Sequence, residues 1–352
     1  MPVDPTEPNG ATAGSGRAES DDAVMDRALA LGAAVQGTTS PNPWVGCVIV
    51  PAGPPRGPGG DRELFTGATA PPGGPHAEVQ ALAAAGEAAR GATMYVTLEP
   101  CNHQGRTPAC VQAIVGAGIR RVVVAVEDPD PKVAGRGIGA LREAGVEVSV
   151  GTGAGPAADL LAPYLKHRRT GRPWVVLKLA ATLDGRCAAP DGSSQWITGE
   201  AARRDVQRLR ALSDAILVGA GTVRADDPAL TVRLEGDPAR QPLRVVLGRA
   251  PAGARVHPAL EMSGDLGVVL QELGSRGVLQ LLVEGGSDVA HRFHTAGLVD
   301  RYVLYLAPAF AGGDDSRPMF AGPGAPTIGA LWRGRMISVT PVGEDLRVEV
   351  AA

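Results

Sequence analysis

Cysteine, lysine and long apolar runs are all scarce in this chain, and each scarcity removes a class of protein. Four cysteines in 352 residues (Cys47, Cys101, Cys110, Cys187) are too few to staple a secreted scaffold, and a chain of this length buries enough core to need no staples. A reducing, cytoplasmic setting is the expectation. No stretch approaches the roughly eighteen apolar residues of a membrane span, so no membrane partner is expected. Only three of the 34 basic residues are lysines, a skew that carries no functional reading by itself. Acids and bases are interspersed to a formal charge of −3, which leaves no basic stripe for a phosphate backbone, so nucleic acid is not an expected partner either. A small molecule is. Residues 1–20 are polar, small and acidic, without the basic start and apolar centre of a secretory signal, and read as a disordered tail. Neither a P-loop nor an internal repeat is found.

The length exceeds what one core usually serves, which predicts two domains. Helical spacing behind an acidic start marks a helix over Asp22–Gln36, and "WVGCVIV" (Trp44–Val50) suits a buried strand. A Gly/Pro loop follows, then a helix over Glu78–Ala89, a strand over Ala92–Leu98, a polar loop, a helix from "ACVQAIVGAG" and a strand over Arg121–Val126. Strands alternating with helices predict a largely parallel sheet covered by helices. The basic stretch "KHRRTGRP" precedes the apolar "WVVLKLA", which places a first domain at 21–167, a linker at 168–173 and a second α/β domain at 174–352. That second half predicts strands at Val175–Leu179 and Ala215–Gly219, a helix at Glu200–Ala211 and a closing strand pair within "MISVTPVGEDLRVEV".

Chemistry concentrates first at "PHAEVQALAAAG" and "LEPCNHQGRTPAC". His76 and Glu78 stand two apart at a helix start, Cys101 follows the carboxyl end of a strand, and Cys110 opens the next helix. In open α/β sheets that edge is where ligands sit. One nitrogen and two thiols leave a fourth position open, the pattern of catalytic rather than structural zinc, and helix N-termini help keep thiols ionised. Glu78 is then placed to lean over the open position and move protons for an activated water. A chance grouping of core thiols is the competing reading, and Cys47, inside an apolar strand, looks like such a thiol.

Zinc deaminases carry His-x-Glu followed by Pro-Cys-x-x-Cys. Here the second cysteine lies nine residues on. This longer loop, together with "SPNPWVGCVIV", "GATMYVTLEPCNHQGRTPAC" and "VEDPDPKVAGRGI", resembles the bifunctional deaminase–reductase family of riboflavin biosynthesis. The resemblance implies a cytidine-deaminase-like three-layer α/β/α domain followed by a dihydrofolate-reductase-like α/β domain that uses NADPH. It implies that Asn42 and Gly46 line a pyrimidine pocket, that His103 and Arg106 contact the substrate and its phosphate arm, and that Asp128 and Lys132 close the other side. Asp130 stands where the family usually has asparagine.

"LKLAATLDGRCAAPDGSSQWITGEAARRDVQRLRALSDAILVGAGTVRADDPALTVR" resembles the reductase half of the same family. Carried over position by position, Ala180, Trp196, Thr222, Asp226 and the turn and helix from Gly286 through Ser287, Asp288 and Arg292 would contact NADPH. Ser194, Arg210, Leu230, Arg233 and Glu284 would hold the ribose and its phosphate. Taken without the family, "VEGGSDVAHRF" is a strand, a glycine pair and a helix N-terminus, a weak phosphate signal. Lys178, on a strand among apolar neighbours, is the candidate for stabilising or protonating the reacting sugar.

The implied function is two consecutive steps of riboflavin biosynthesis on a pyrimidine ribosylamine phosphate: zinc-dependent deamination of 2,5-diamino-6-(5-phosphoribosylamino)pyrimidin-4-one, then NADPH-dependent reduction of ribosyl to ribityl, by a homodimer or higher homo-oligomer. Gly248-Arg249 replaces a common Asp-Ser pair, and the segment after it is shorter than the resemblance leads one to expect. The alternative is therefore an active deaminase joined to an impaired reductase. A nucleoside or RNA deaminase would carry the short cysteine loop, and a non-catalytic zinc module would need a fourth ligand, for which His103 is the nearest histidine.

Overall fold

The computed structural model describes residues 20–53, 63–102, 109–234 and 240–352. Apart from Ser20, the expected tail lies outside the described residues, as do His103 and Arg106.

The first half is one five-stranded sheet between helices. Helix α1 (Asp21–Ala34) opens with Ser20, whose hydroxyl accepts from Ala23 N, and with Asp21 and Asp22 in the first turn where the dipole favours acids. Strand β1 (Gly46–Val50) follows, then β2 (Phe65–Ala68), α2 (Ala77–Ala85), β3 (Thr93–Leu98), α3 (Cys110–Gly116), β4 (Arg121–Val126), α4 (Arg136–Glu143), β5 (Glu147–Val150) and α5 (Ala154–Thr170). The sheet order is β2-β1-β3-β4-β5. Strands β3, β4 and β5 run parallel, but β1 is antiparallel to both neighbours. The sheet is therefore mixed rather than largely parallel, because β1 and β2 form a hairpin instead of a crossover unit. The consequence for function is positional: the start of β1 and the ends of β2, β3 and β4 all meet at one edge.

The second half follows with β6 (Trp174–Thr182), β7 (Arg186–Ala188), α6 (Glu200–Ala211), β8 (Ala215–Gly219), α7 (Ala220–Asp226), β9 (Leu243–Leu247), β10 (Leu260–Met262), α8 (Leu266–Ser275), β11 (Gln280–Val283), α9 (Ser287–Thr295), β12 (Arg301–Ala307), β13 (Arg317–Pro318), β14 (Arg335–Val342) and β15 (Asp345–Ala351). Its eight-stranded sheet runs β10-β9-β8-β11-β6-β12-β15-β14, parallel as far as β12 and antiparallel across the closing pair. The central strands β8 and β11 are buried along their whole length, as parallel strands covered on both faces must be. The segment after Gly248 carries β10, which lengthens the sheet beyond β9.

Helix α5 joins the two halves. Leu161, Tyr164 and Leu165 sit in the first core, and Trp44 Nε1 donates to Leu160 O at 2.9 Å. Leu279, from the strand approach of the second half, belongs to that same core. At its carboxyl end α5 meets the second half, with the His167 ring 2.9 Å from Gly274 O and Lys166 paired with Asp300. The linker segment 168–173 begins inside this helix, which ends at Gly171 in a left-handed cap.

Candidate active sites

At the edge of the first sheet, His76 is the N-cap of α2 and makes no capping bond, so its ring is free to face the loop after β3. His76 Nδ1 lies 3.2 Å from Cys110 Sγ and 3.7 Å from Cys101 Sγ, and the two sulfurs are 3.5 Å apart. The three donor atoms fall within 4.8 Å of one another. Tetrahedral zinc at ordinary bond lengths asks for about 3.6 Å between nitrogen and sulfur and about 3.8 Å between sulfurs, so the set fits zinc as it stands. The Cys101 thiol is held far below its ordinary range, to about 4, first by the hydrogen bond from Cys110 and then, against burial, by His76. The Cys110 thiol is pushed up by Cys101 and by burial.

Glu78, in the first turn of α2, is only 4% exposed, and burial raises its carboxyl above the usual range. Asn42 stands half-buried just before β1 at the same edge. Gly46 opens β1 at this edge. It is buried under α1, and a Cβ there would meet Ala28 O at 1.8 Å. Asp128 follows β4 at this edge, but its oxygens already accept from Tyr164 Oη at 2.9 Å and Asp130 N at 2.9 Å. Lys132 is exposed beside it. Asp130 pairs with Arg168 of α5 at 3.5 Å. Cys47 is fully buried, and burial pushes its thiol up, as a core thiol's should be.

The second site is a cavity of about 1160 Å³ at the carboxyl edge of the parallel strands. Lys178, Ala180, Ser194, Trp196, Arg210, Thr222, Asp226, Leu230, Arg233, Glu284, Gly286 and Ser287 all line it. Asp288 and Arg292 are exposed on α9 and do not line it; Arg292 instead donates to Gly264 O at 3.2 Å. Gly286 is the N-cap of α9, and Gly285, Gly286 and Ser287 place that helix start in the lining. Arg210 is committed to Glu284 by two hydrogen bonds of 2.6 and 2.9 Å and donates to Thr231 O at 3.1 Å. Burial alone would raise the Glu284 carboxyl, but the Arg210 guanidinium outweighs it and holds the group below its ordinary value. Lys178 is pushed below the usual lysine value by burial, with Glu284 pulling the other way. Trp196 is 68% exposed at the mouth, with the Arg203 guanidinium stacked 4.6 Å from its ring centre.

Sequence reasoning passes over Arg203, Arg255 and Cys187, all of which line this cavity, and over Glu99 at the first site. For Arg203 the available signal is its place on the first turns of α6, shortly after an exposed Trp. For Arg255 it is a cation in the irregular stretch after β9, six residues beyond Arg249. Its N–H donates to Asp227 Oδ1 at 2.8 Å, so the altered segment does wall the cavity.

These two sites define a two-part enzyme, a metal-dependent deaminase joined to a reductase. The cytidine and deoxycytidylate deaminase zinc-binding region matches residues 18–126, and the RibD C-terminal domain matches residues 173–348. The riboflavin biosynthesis protein RibD of Escherichia coli K12 is 40% identical over 93% of this chain and 98% of its own length. That of Mycobacterium tuberculosis H37Rv is 45% identical over 95% and 98%. Acinetobacter baumannii RibD superposes with a TM-score of 0.86 at 39% identity, covering 94% of this chain and 98% of that one. A diaminohydroxyphosphoribosylaminopyrimidine deaminase/5-amino-6-(5-phosphoribosylamino)uracil reductase from Thermotoga maritima gives 0.84 at 32% identity over the same shares. The chain belongs to the RibD family of riboflavin biosynthesis, bifunctional enzymes with a zinc-dependent deaminase and an NADPH-dependent reductase.

Proposed function

We propose that this chain assigns its two reactions as follows: the edge holding His76, Cys101 and Cys110 deaminates 2,5-diamino-6-(5-phosphoribosylamino)pyrimidin-4-one, and the cavity around Lys178 reduces the ribosyl chain of the product to ribityl. The observation that carries the reading is the triangle of donor atoms with a buried carboxyl, Glu78, in the same helix turn. When bound, zinc supplies Lewis acidity and an acidified water, and NADPH supplies a hydride. His76, Cys101 and Cys110 would hold the metal. Glu78 takes a proton from the attacking water and returns it to the amino nitrogen as the carbon–nitrogen bond breaks and ammonia leaves. Asn42 and Lys132 flank the pyrimidine; His103 and Arg106 are assigned to the phosphate arm on the family's pattern alone. Asp128 positions the wall through Tyr164 rather than touching substrate.

In the second site, Trp196, Ala180, Thr222, Asp226 and the α9 N-terminus receive the nicotinamide cofactor. Asp288 and Arg292 stand outside the lining and are not assigned to the cofactor. Arg233 is assigned to the substrate phosphate, and Arg210 is spent on orienting Glu284 toward the sugar hydroxyls. Ser194 and Leu230 complete that wall. Lys178 would donate the proton that the opened sugar takes up when NADPH, held in this cavity, supplies its hydride.

The working unit is a dimer of this chain, residing in the cytoplasm. Four free thiols suit a reducing compartment, and among the described residues no helix is long and apolar enough to cross a membrane. Strand β14 is an outer strand whose Met336 and Val339 are 57% and 55% exposed, near exposed Ile328 and Trp332. Such an edge calls for a second sheet against it. Sedimentation of the chain and of Val339→Lys tests this; a monomer for both overturns it.

The central test is a two-part assay: ammonia release from the pyrimidine, then NADPH oxidation with the deaminated product. Both activities are expected. Ammonia without NADPH oxidation would mean that the altered segment around Gly248 has cost the second half its hydride chemistry.

A further inference from the structure

Glu99 ends the approach from β3, two residues before Cys101, and is 4% exposed. Its Oε1 accepts from Gly137 N at 2.9 Å and Ile138 N at 3.1 Å, and its Oε2 from Gly135 N at 3.0 Å and Asp128 N at 3.2 Å. Helix α4 has Gly135 as N-cap and no side-chain cap of its own. Glu99 thus supplies, from the next strand, the carboxylate that the helix N-terminus lacks. Gly135 sits at φ +76°, in the left-handed region that favours glycine, so the cap comes from another strand instead of from position 135. What the remote carboxylate adds is a tie between α4, the loop after β4 and the chain that carries Cys101.

Two further contacts make that tie tight. The first turn of α4 presses on Pro100, where a Cβ at Gly137 would lie 1.9 Å from the Pro100 carbonyl oxygen. Beyond it, Val111 N donates to Cys101 O at 3.2 Å, fixing the same chain to α3, whose first residue is Cys110. Pro100 and Cys101 are therefore held between two helix starts. We infer that Glu99 is a positioning residue of the metal centre: through α4 and Pro100 it sets where Cys101 Sγ stands relative to His76 Nδ1 and Cys110 Sγ. The inference rests on reading those three atoms as the zinc ligands.

Partners one bond removed from a ligand commonly change metal affinity by about 10–100-fold when lost. The test uses the full chain and cobalt(II) as probe, with affinity from chelator competition and the visible spectrum of the loaded protein, alongside deamination kcat and KM. In Glu99→Gln the amide NH2 faces N–H donors, so half of the cradle is lost. Gly137→Ala drives a Cβ into the Pro100 carbonyl oxygen and against Glu99 Oε1, while leaving the charge of the carboxylate and its N–H donors in place. Both variants are expected to bind cobalt about 10–100-fold more weakly, to shift its spectrum, and to lower deamination kcat more than they raise KM, while NADPH oxidation by the other site stays within about twofold. Glu99→Asp, which keeps the charge on a shorter arm, should lie between and serves if Glu99→Gln does not fold. Parent-like cobalt affinity and spectrum in the variants, with only a lower melting temperature, would overturn the inference and leave Glu99 as a helix cap. If the parent chain itself binds cobalt without sulfur-to-metal absorption, the ligand reading fails instead.

Discussion

Lys178→Met should make the protein more stable and the reductase nearly inert, and both effects follow from one desolvated ammonium. Lys178 lies on β6 at the cavity, its Nζ 6.0 Å from the Tyr305 ring centre, with no hydrogen bond among the described residues. Burial and the Arg210 charge push it below the ordinary lysine value, and Glu284, already satisfied by Arg210, only partly offsets them. Burying a polar group without a hydrogen-bond partner costs the fold about 1–3 kcal/mol. Methionine fills the same space without charge, so the variant should gain about 1–3 kcal/mol at neutral pH, or about 3–10 °C for a unit of this size. The sign with pH is fixed. Between the lowered folded value and about 10.4 the unfolded chain binds the extra proton, so parent stability rises with pH across that interval. The variant's advantage is therefore full below the folded value and shrinks as pH climbs toward the ordinary one. Urea midpoints at pH 7 and pH 9.5 read this, and NADPH absorbance reads a hydride rate lowered by about 10²–10⁴ if the ammonium acts as general acid. A variant less stable than the parent at both pH values, or one that reduces at the parent's rate, refutes the reasoning.

Three other outcomes are expected. Glu78→Gln should keep one zinc per chain by metal analysis while ammonia release falls by about 10²–10⁴, because the residue moves protons rather than ligating; loss of the metal would contradict that role. Stripping zinc with a chelator should abolish deamination and leave NADPH oxidation of supplied deaminated product intact, and a parallel loss of both would place the metal elsewhere. Arg210→Met should destabilise by about 3–5 kcal/mol, since it leaves Glu284 buried without its guanidinium, whereas Arg210→Met with Glu284→Leu should recover most of that in denaturant titrations. Equal losses in the single and double variants would mean that the pair is not coupled.

The metal site was legible because its ligands sit at element boundaries that proline, glycine and periodicity mark plainly: His76 after a Gly/Pro loop, Cys101 behind an apolar strand, Cys110 at a helix start. Helix Glu200–Ala211 and strand Ala215–Gly219 fall on the predicted residues. What escaped was set by tertiary partners. Strand β2 is four residues long with little alternation, and the direction of β1 depends on its pairing rather than on its own residues. Helix α5 was hidden by Pro163 in its interior and by its basic end, which read as a linker. The pairing of Arg210 with Glu284, 74 residues away, is likewise announced by no local pattern. Glu99 escaped for a similar reason: its four donors come from residues 128–138, which no local pattern around Glu-Pro-Cys announces.

Helix α5 also bears on how such an enzyme could be divided into two genes. The change in composition near Lys166 invites a cut there, yet that cut would fall inside a helix whose inner face completes one core and whose last turn grips the other half. Leu279 would lose its place among Leu161, Tyr164 and Leu165, and Asp300 would keep the Val175 amide but lose Lys166. A stand-alone deaminase made from this chain must extend through Gly171 and acquire a polar surface where Leu279 now docks. The matching stand-alone reductase must find new cover for the same leucine, so fission here demands compensating surface changes on both sides of the break.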